Sequence, residues 1–170
     1  MPDRDGGGGG SPPREAVLLL GSNLGRRVLR IRDAVERISR ETAVTGVSRM
    51  YASEPFGRRD QPWFLNLAVR AATSLSPMAL LLLAKRIERE AGRGGGARWG
   101  PRALDVDILL LGNEVIDLPD LAIPHAWLAE RRFFLRPAAD VAPDAMVPGL
   151  GRTLSQLLAA CTDPLEVVAL

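Results

Sequence analysis

Asp105 and Asp107 are the residues of this sequence best placed to do chemistry. They sit two apart in the run Leu104 to Leu111, which reads as a strand, so both carboxylates project from one face. Leu104, Val106 and Ile108 fill the other. Two close carboxylates repel unless a cation lies between them. A hard ion such as Mg²⁺ suits the pair, because it takes one or two protein carboxylates and completes its octahedron with water and phosphate oxygens. An isolated Asp-x-Asp more often marks a solvated strand face. Here Arg93, Arg98 and Arg102 lie within a dozen residues of the acids, in a loop too glycine-rich to hold a core together. Guanidinium groups bind phosphates in bidentate fashion, and arginines beside metal-binding acids are what polyphosphate handling requires.

Other side chains could complete such a site. Phe56, Phe64 and Phe133 each read singly as core. Together with Asn66 they could sandwich a flat heterocycle and read its hydrogen-bonding edge. His125, the only histidine, follows Pro124, and no spacing around it suggests a metal cluster. Arg131-Arg132-Phe133-Phe134 reads as a helix end with cations near its C-terminus. Gly92 to Ala97 fits a relaxed dinucleotide-binding pattern, but it follows a helix and leads into a strand, the reverse of the context that mechanism needs. No Walker A sequence is present.

These residues need a scaffold, and the chain supplies one. Its 170 residues predict one domain, 16–170, after a Gly-, Pro- and charge-rich arm at 1–15 that reads as disordered. Strands are expected at 15–20, Val44 to Tyr51, Phe64 to Ala71 and Leu104 to Leu111, the last turned by Gly112-Asn113 into a partner at Glu114 to Ile116. Gly21-Ser22-Asn23 reads as a helix N-cap, followed by an inward face of Val28, Ile31, Val35 and Ile38. Ser76-Pro77 opens a second helix that Gly92 closes. In it Leu80, Leu83, Ala84 and Ile87 face inward, and Lys85, Arg86, Glu88 and Arg89 face solvent. Further helices are expected from His125 to about Arg132 and over Leu154 to Cys161. Strands and helices mix without a βαβ rhythm, which predicts α+β with a mainly antiparallel sheet.

Composition narrows the function classes. Arginine makes up 21 of the 22 basic residues, yet net charge is only +2, so the dense positive stripe of a nucleic-acid binder is not expected. The longest apolar run, Met78 to Ala84, is far short of the roughly 20 residues that cross a bilayer. The N-terminus lacks the apolar centre of a signal peptide, and a lone cysteine, Cys161, excludes an intrachain disulfide. A cytoplasmic monomer that binds neither nucleic acid nor membrane is the expectation.

The run Arg98-Trp99-Gly100-Pro101-Arg102-Ala103-Leu104-Asp105-Val106-Asp107-Ile108 resembles the signature of the 6-hydroxymethyl-7,8-dihydropterin pyrophosphokinase family of folate biosynthesis. Leu20-Gly21-Ser22-Asn23-Leu24-Gly25, Asp60-Gln61-Pro62, Phe64-Leu65-Asn66 and Pro124-His125 resemble its other motifs, and the likeness covers about residues 16–150. It implies a ferredoxin-like α+β fold with helices on both sides of the sheet, a three-layer α/β/α arrangement. It implies transfer of the β,γ-pyrophosphoryl group of ATP to the pterin's hydroxymethyl oxygen, with release of AMP. Asp105 and Asp107 would hold two Mg²⁺ ions, and Arg93 and Arg102 would stabilise the charge that develops. Glu88, Arg98, Trp99, Ile108, His125 and Arg131 would surround the nucleotide. Ser53, Glu54, Phe56, Phe64, Asn66, Trp99 and Phe133 would surround the pterin. Gly94, Gly95 and Gly96 fill a stretch where members often carry a second arginine. Lys85, Glu54, Asp120 and Ala122 depart from residues common at their positions, and together these changes imply weaker triphosphate binding or slower closure of the loop. A nucleotide- or pterin-binding module that lost catalysis, and an RNA-binding α+β domain, are the alternatives.

Overall fold

A computed structural model of the chain describes residues 12–92 and 100–170. The strand β1 (Arg14–Ser22) lies in the interior of the sheet. Its residues alternate between two cores: Ala16, Leu18 and Leu20 face one side, Val17 and Leu19 the other. This two-sided burial is why 16–20 is a continuous apolar run rather than an alternating one. Arg14, expected in the arm, is the first residue of the strand.

The chain next forms α1 (Arg27–Glu41), β2 (Ala43–Val47), β3 (Tyr51–Ser53), β4 (Phe64–Thr73), α2 (Pro77–Glu90) and β5 (Asp105–Leu111). The sheet order is β10-β3-β4-β1-β5, with β2 also on β4 and every pairing antiparallel. β2 and β3 line the same edge of β4, one against its C-terminal half and the other against its N-terminal half. The expected strand Val44 to Tyr51 is therefore interrupted at 48–50, where Ser48 donates its N–H to the Ala68 carbonyl and accepts the Ala68 N–H on its hydroxyl.

Helices α1 and α2 bury Ile31, Ala34, Ile38, Leu80, Leu83, Ala84 and Ile87 on one face of the sheet. On the other face lie α3 (Arg132–Val141) and α4 (Leu154–Ala160), which contribute Phe134, Leu135, Ala138, Leu154 and Leu157. The result is the three-layer α+β arrangement that the sequence implies. β6 (Ile116–Leu118) with β7 (Leu121–Ile123), and β8 (Met146–Val147) with β9 (Arg152–Thr153), form two small ribbons; β10 (Val167–Ala169) closes the sheet beside β3.

Several local expectations are corrected, in the first cases because a distant partner takes the group concerned. Ser22 does not cap α1: it ends β1 and donates its hydroxyl to the Ala103 carbonyl, and the helix begins at Arg27 without a side-chain cap. Val28 is accordingly exposed, and the inward stripe is Ile31, Ala34 and Ile38, with the expected Val35 half-buried against the same core. Glu88 does not face solvent. It is 1% exposed, and its carboxylate accepts the Val106 N–H and pairs with Lys85, which blunts the free edge of β5. The stretch 114–116 does not return along β5, where the Leu109 carbonyl accepts the His125 N–H, and Ile116–Leu118 pairs with Leu121–Ile123 instead. The expected helix from His125 to Arg132 is a series of turns, and Arg131 to Phe134 stand at the start of α3, not at a helix C-terminus.

Leu20 is fully buried between β1 and the α1/α2 layer. Leu20→Ala is expected to cost about 2–5 kcal/mol of stability, read as a lower urea midpoint with an unchanged m-value.

Candidate active site

Antiparallel register decides which side chains share a surface. Asp107 of β5 lies opposite Leu19 of β1, which lies opposite Ala68 of β4. In the next row Asp105 faces Gly21, and Gly21 faces Asn66. One step further, Phe64 of β4 pairs with Ser53 of β3. Residues paired in register or two apart along a strand point the same way. The acids, the amide and the first aromatic thus come to one face, with Asp105 and Asn66 two strands or about 10 Å apart.

Gly21 carries no side chain between them, and this leaves a floor. A Cβ there would stand 3.1 Å from Asn66 Oδ1. The floor opens into a cavity of about 300 Å³, lined by Ser53, Glu54, Phe56, Phe64, Asn66, Arg102, Asp105, Asp107, His125, Arg131 and Phe133 among the expected residues. Leu19, Gly21, Gly100, Trp127 and Phe134 also line it. Sequence reasoning passed over Trp127, although it lies two residues after His125.

Several of these residues are held from outside the cavity. Asn66 is buried and donates its amide to Ser53 Oγ at 2.7 Å, which fixes the orientation of the amide. Asn23, also buried, donates to Gln61 Oε1 and to the Pro62 carbonyl, both at 3.0 Å. It also accepts the Arg102 N–H on Oδ1 at 2.7 Å and donates its own N–H to the Arg102 carbonyl. Arg102 is thereby clamped at its backbone while its side chain reaches the cavity. In β5 a bulge sets Leu109 and Leu110 on one face, and the Leu109 carbonyl accepts the His125 N–H. This brings His125 Nε2 to 3.6 Å from Asp107 Oδ1. The Trp127 N–H donates to His125 Nδ1 at 3.2 Å, so in the neutral ring Nε2 carries the proton and aims it toward the acid. The Phe134 ring packs on His125 at 4.5 Å and on Phe133 at 4.4 Å.

Three expected residues lie outside the described ones: Arg93, Arg98 and Trp99, together with Gly94 to Gly96. Two more fall away from the cavity lining. The Ile108 side chain is in the core on the opposite face of β5, and Glu88 is committed to Val106 and Lys85. Glu54 lines the cavity, yet its carboxylate accepts the Glu166 N–H at 2.9 Å, and Glu54 N–H donates back to the Glu166 carbonyl. Asp120 is exposed in the turn after β6, and Ala122 lies in β7.

Among the described residues, no group of three or more His, Cys, Asp or Glu is gathered to hold a metal unaided. Two carboxylates on one face of a strand, opening on a cavity, fit Mg²⁺, which retains water and takes phosphate oxygens. They do not fit a structural transition metal, which needs a fuller protein shell.

An antiparallel α+β domain with an acid pair at one end of a cavity and an aromatic, amide-bearing slot at the other defines a class of small-molecule site. Residues 17–143 match the family model of 7,8-dihydro-6-hydroxymethylpterin-pyrophosphokinase. The chain is 46% identical over 144 residues to the 2-amino-4-hydroxy-6-hydroxymethyldihydropteridine pyrophosphokinase of Pseudomonas aeruginosa, covering 84% of this chain and 88% of that protein. It is 45% identical over 128 residues to the protein of the same name from Bacillus subtilis, covering 74% and 77%. It also matches a mitochondrial folate synthesis bifunctional protein of Arabidopsis thaliana at 45% over 133 residues, 78% of this chain but 24% of that one. A crystal structure of Plasmodium falciparum HPPK-DHPS superposes with a TM-score of 0.72 at 18% identity, over 90% of this chain and 45% of that one, a likeness of fold. The chain belongs to the 7,8-dihydro-6-hydroxymethylpterin-pyrophosphokinase family.

Asn23→Ala would leave the Arg102 N–H and the Pro62 carbonyl without their partner. A stability loss of about 1–3 kcal/mol is expected, read by urea denaturation, with loss of activity through Arg102.

Proposed function

We propose that this chain transfers the β,γ-pyrophosphoryl group of ATP to the hydroxymethyl oxygen of 6-hydroxymethyl-7,8-dihydropterin, releasing AMP. The observation that carries the reading is one cavity holding both the acid pair and the aromatic slot, in a chain whose family bears the name of this activity. The new bond joins the alcohol oxygen to the β-phosphorus, the bond from that phosphorus to the α,β-bridging oxygen breaks, and the alcohol proton leaves to solvent.

Phe64 and Phe133 offer faces to a bicyclic ring, and Asn66, oriented by Ser53, offers its amide to the ring's edge. Arg102 and Arg131 supply cations for the triphosphate, and Arg102 acts with its backbone already fixed by Asn23. His125 directs Nε2–H toward Asp107 and any oxyanion beside it. Asp105 and Asp107 would hold Mg²⁺, two ions in the reading that the sequence implies, and when bound the metal supplies charge neutralisation of the triphosphate. No acid of the cavity stands out as a base, and activation of the alcohol rests on alignment. Arg93 and Arg98 are assigned to the triphosphate, and Trp99 to both ligands, from the sequence alone. Action as a cytoplasmic monomer without nucleic acid belongs to the same reading. Among the described residues, no helix is long and apolar enough to cross a membrane.

Incubation with ATP, Mg²⁺ and the pterin should yield AMP in step with pterin pyrophosphate. ADP would mean ordinary kinase chemistry, and saturable ATP binding without turnover would favour the module that lost catalysis. Asp107→Ala should lower turnover by about 10²–10³-fold, in the range of lost electrostatic catalysis, with an unchanged circular dichroism spectrum.

A further inference from the structure

Arg131 occupies the N-cap position of α3, yet its side chain forms no cap. The guanidinium lies instead over the Phe56 ring, 4.0 Å from its centroid, and 5.4 Å from that of Trp127. The side chain is one-fifth exposed, makes no hydrogen bond to another described residue, and has its Nε buried without an acceptor. A cation at the positive end of a helix is electrostatically misplaced. Burial between two rings adds a desolvation cost that ring faces only partly offset.

The countercharge comes from the other end of the chain. Asp163 has no exposed side-chain surface, and its Oδ1 stands 3.8 Å from Arg131 Nη1. Its carboxylate is itself fixed: Oδ2 accepts the Arg132 N–H at 3.0 Å, and Oδ1 accepts the Leu165 N–H at 3.3 Å. A neutral acceptor could take the Arg132 N–H, as capping residues do. The negative charge suits the start of α3, and it also stands beside the guanidinium. Asp163 also lies beyond residues 17–143, the part matched by the family model.

We propose that Asp163 is a positioning residue for Arg131, holding the guanidinium against Phe56 and Trp127 so that its free donors face the cavity and a triphosphate oxygen. The inference rests on the assignment of Arg131 to ATP. It adds that the segment after α4 is part of the site through one buried charge.

The test is a double-mutant cycle on kcat/KM for ATP at saturating pterin, with ATP binding by calorimetry on the same proteins. Asp163→Asn keeps an oxygen acceptor and removes the charge. It should lower kcat/KM about tenfold in the natural chain, a coupling within the range for groups in direct contact, and change it less than twofold in the Arg131→Ala background. Equal losses in both backgrounds, or no loss in the natural chain, overturn the proposal and leave Asp163 as a remote cap of α3. If Asp163→Asn does not fold, the cycle is run with Asp163→Glu, which keeps charge and acceptors but shifts the carboxylate by one methylene, on the same criterion. Failure of the unsubstituted chain to bind ATP or form AMP would instead remove the assignment on which the inference rests.

Discussion

The register of β1 between β4 and β5 is the constraint on which the rest of the site depends. Because side chains alternate with a period of two, a slip of one residue in either ladder would send Asp105 and Asp107, or Asn66 and Phe64, to the face packed by α1 and α2. That face holds Leu18, Leu20, Leu65, Leu67, Val106 and Ile108. A carboxylate moved there would lie in an apolar core without a partner, at a cost no small domain tolerates. The apolar residues between the polar ones therefore hold the chemistry in place. Burial of one alternate set fixes the orientation of the other.

The same strands change character along their length. On the α3 face, Val17, Leu19, Ala68, Leu109 and Leu110 form a packed core. Past Leu19 that face becomes Gly21, flanked by Asn66 and Asp105, and the packed layer gives way to a cavity. The Gly21 position makes the transition possible, since a Cβ there would press on the Asn66 amide. The bulge in β5 does comparable work at the other end. It frees the Leu109 carbonyl to hold the chain at His125, and so brings an imidazole from a distant loop beside Asp107.

Around the cavity, recurrent anchoring comes from segments remote in sequence. Asn23 clamps Arg102, Ser53 orients Asn66, and the segment after α4 contacts both Glu54 and the start of α3. Each anchor is a buried or half-buried polar group whose hydrogen bonds are directional. Cavity-lining side chains are thus positioned before any ligand arrives, and less ordering is left for binding to supply.

The sequence determined most of the elements and the residue types that the cavity gathers. Alternation in β5, the Ser76-Pro77 start of α2 and the apolar stripe of Leu80, Leu83, Ala84 and Ile87 are local patterns, and they read correctly because local backbone preference and burial agree there. Asp105, Asp107, Arg102 and Asn66 were singled out by residue type and spacing, His125 only by the family resemblance, and the fold brings all five to one cavity. Tertiary structure alone decided the burial of Glu88, the use of Ser22 and Asn23 as tethers rather than caps, the turns after His125, and the roles of Trp127 and Asp163. In each case a polar group with a good local option is taken by a partner 18 to 81 residues away, or a ring or carboxylate gains its meaning from a surface that only folding assembles. Sequence periodicity reports which face a residue takes. It carries no information about which distant donor or acceptor will be waiting there.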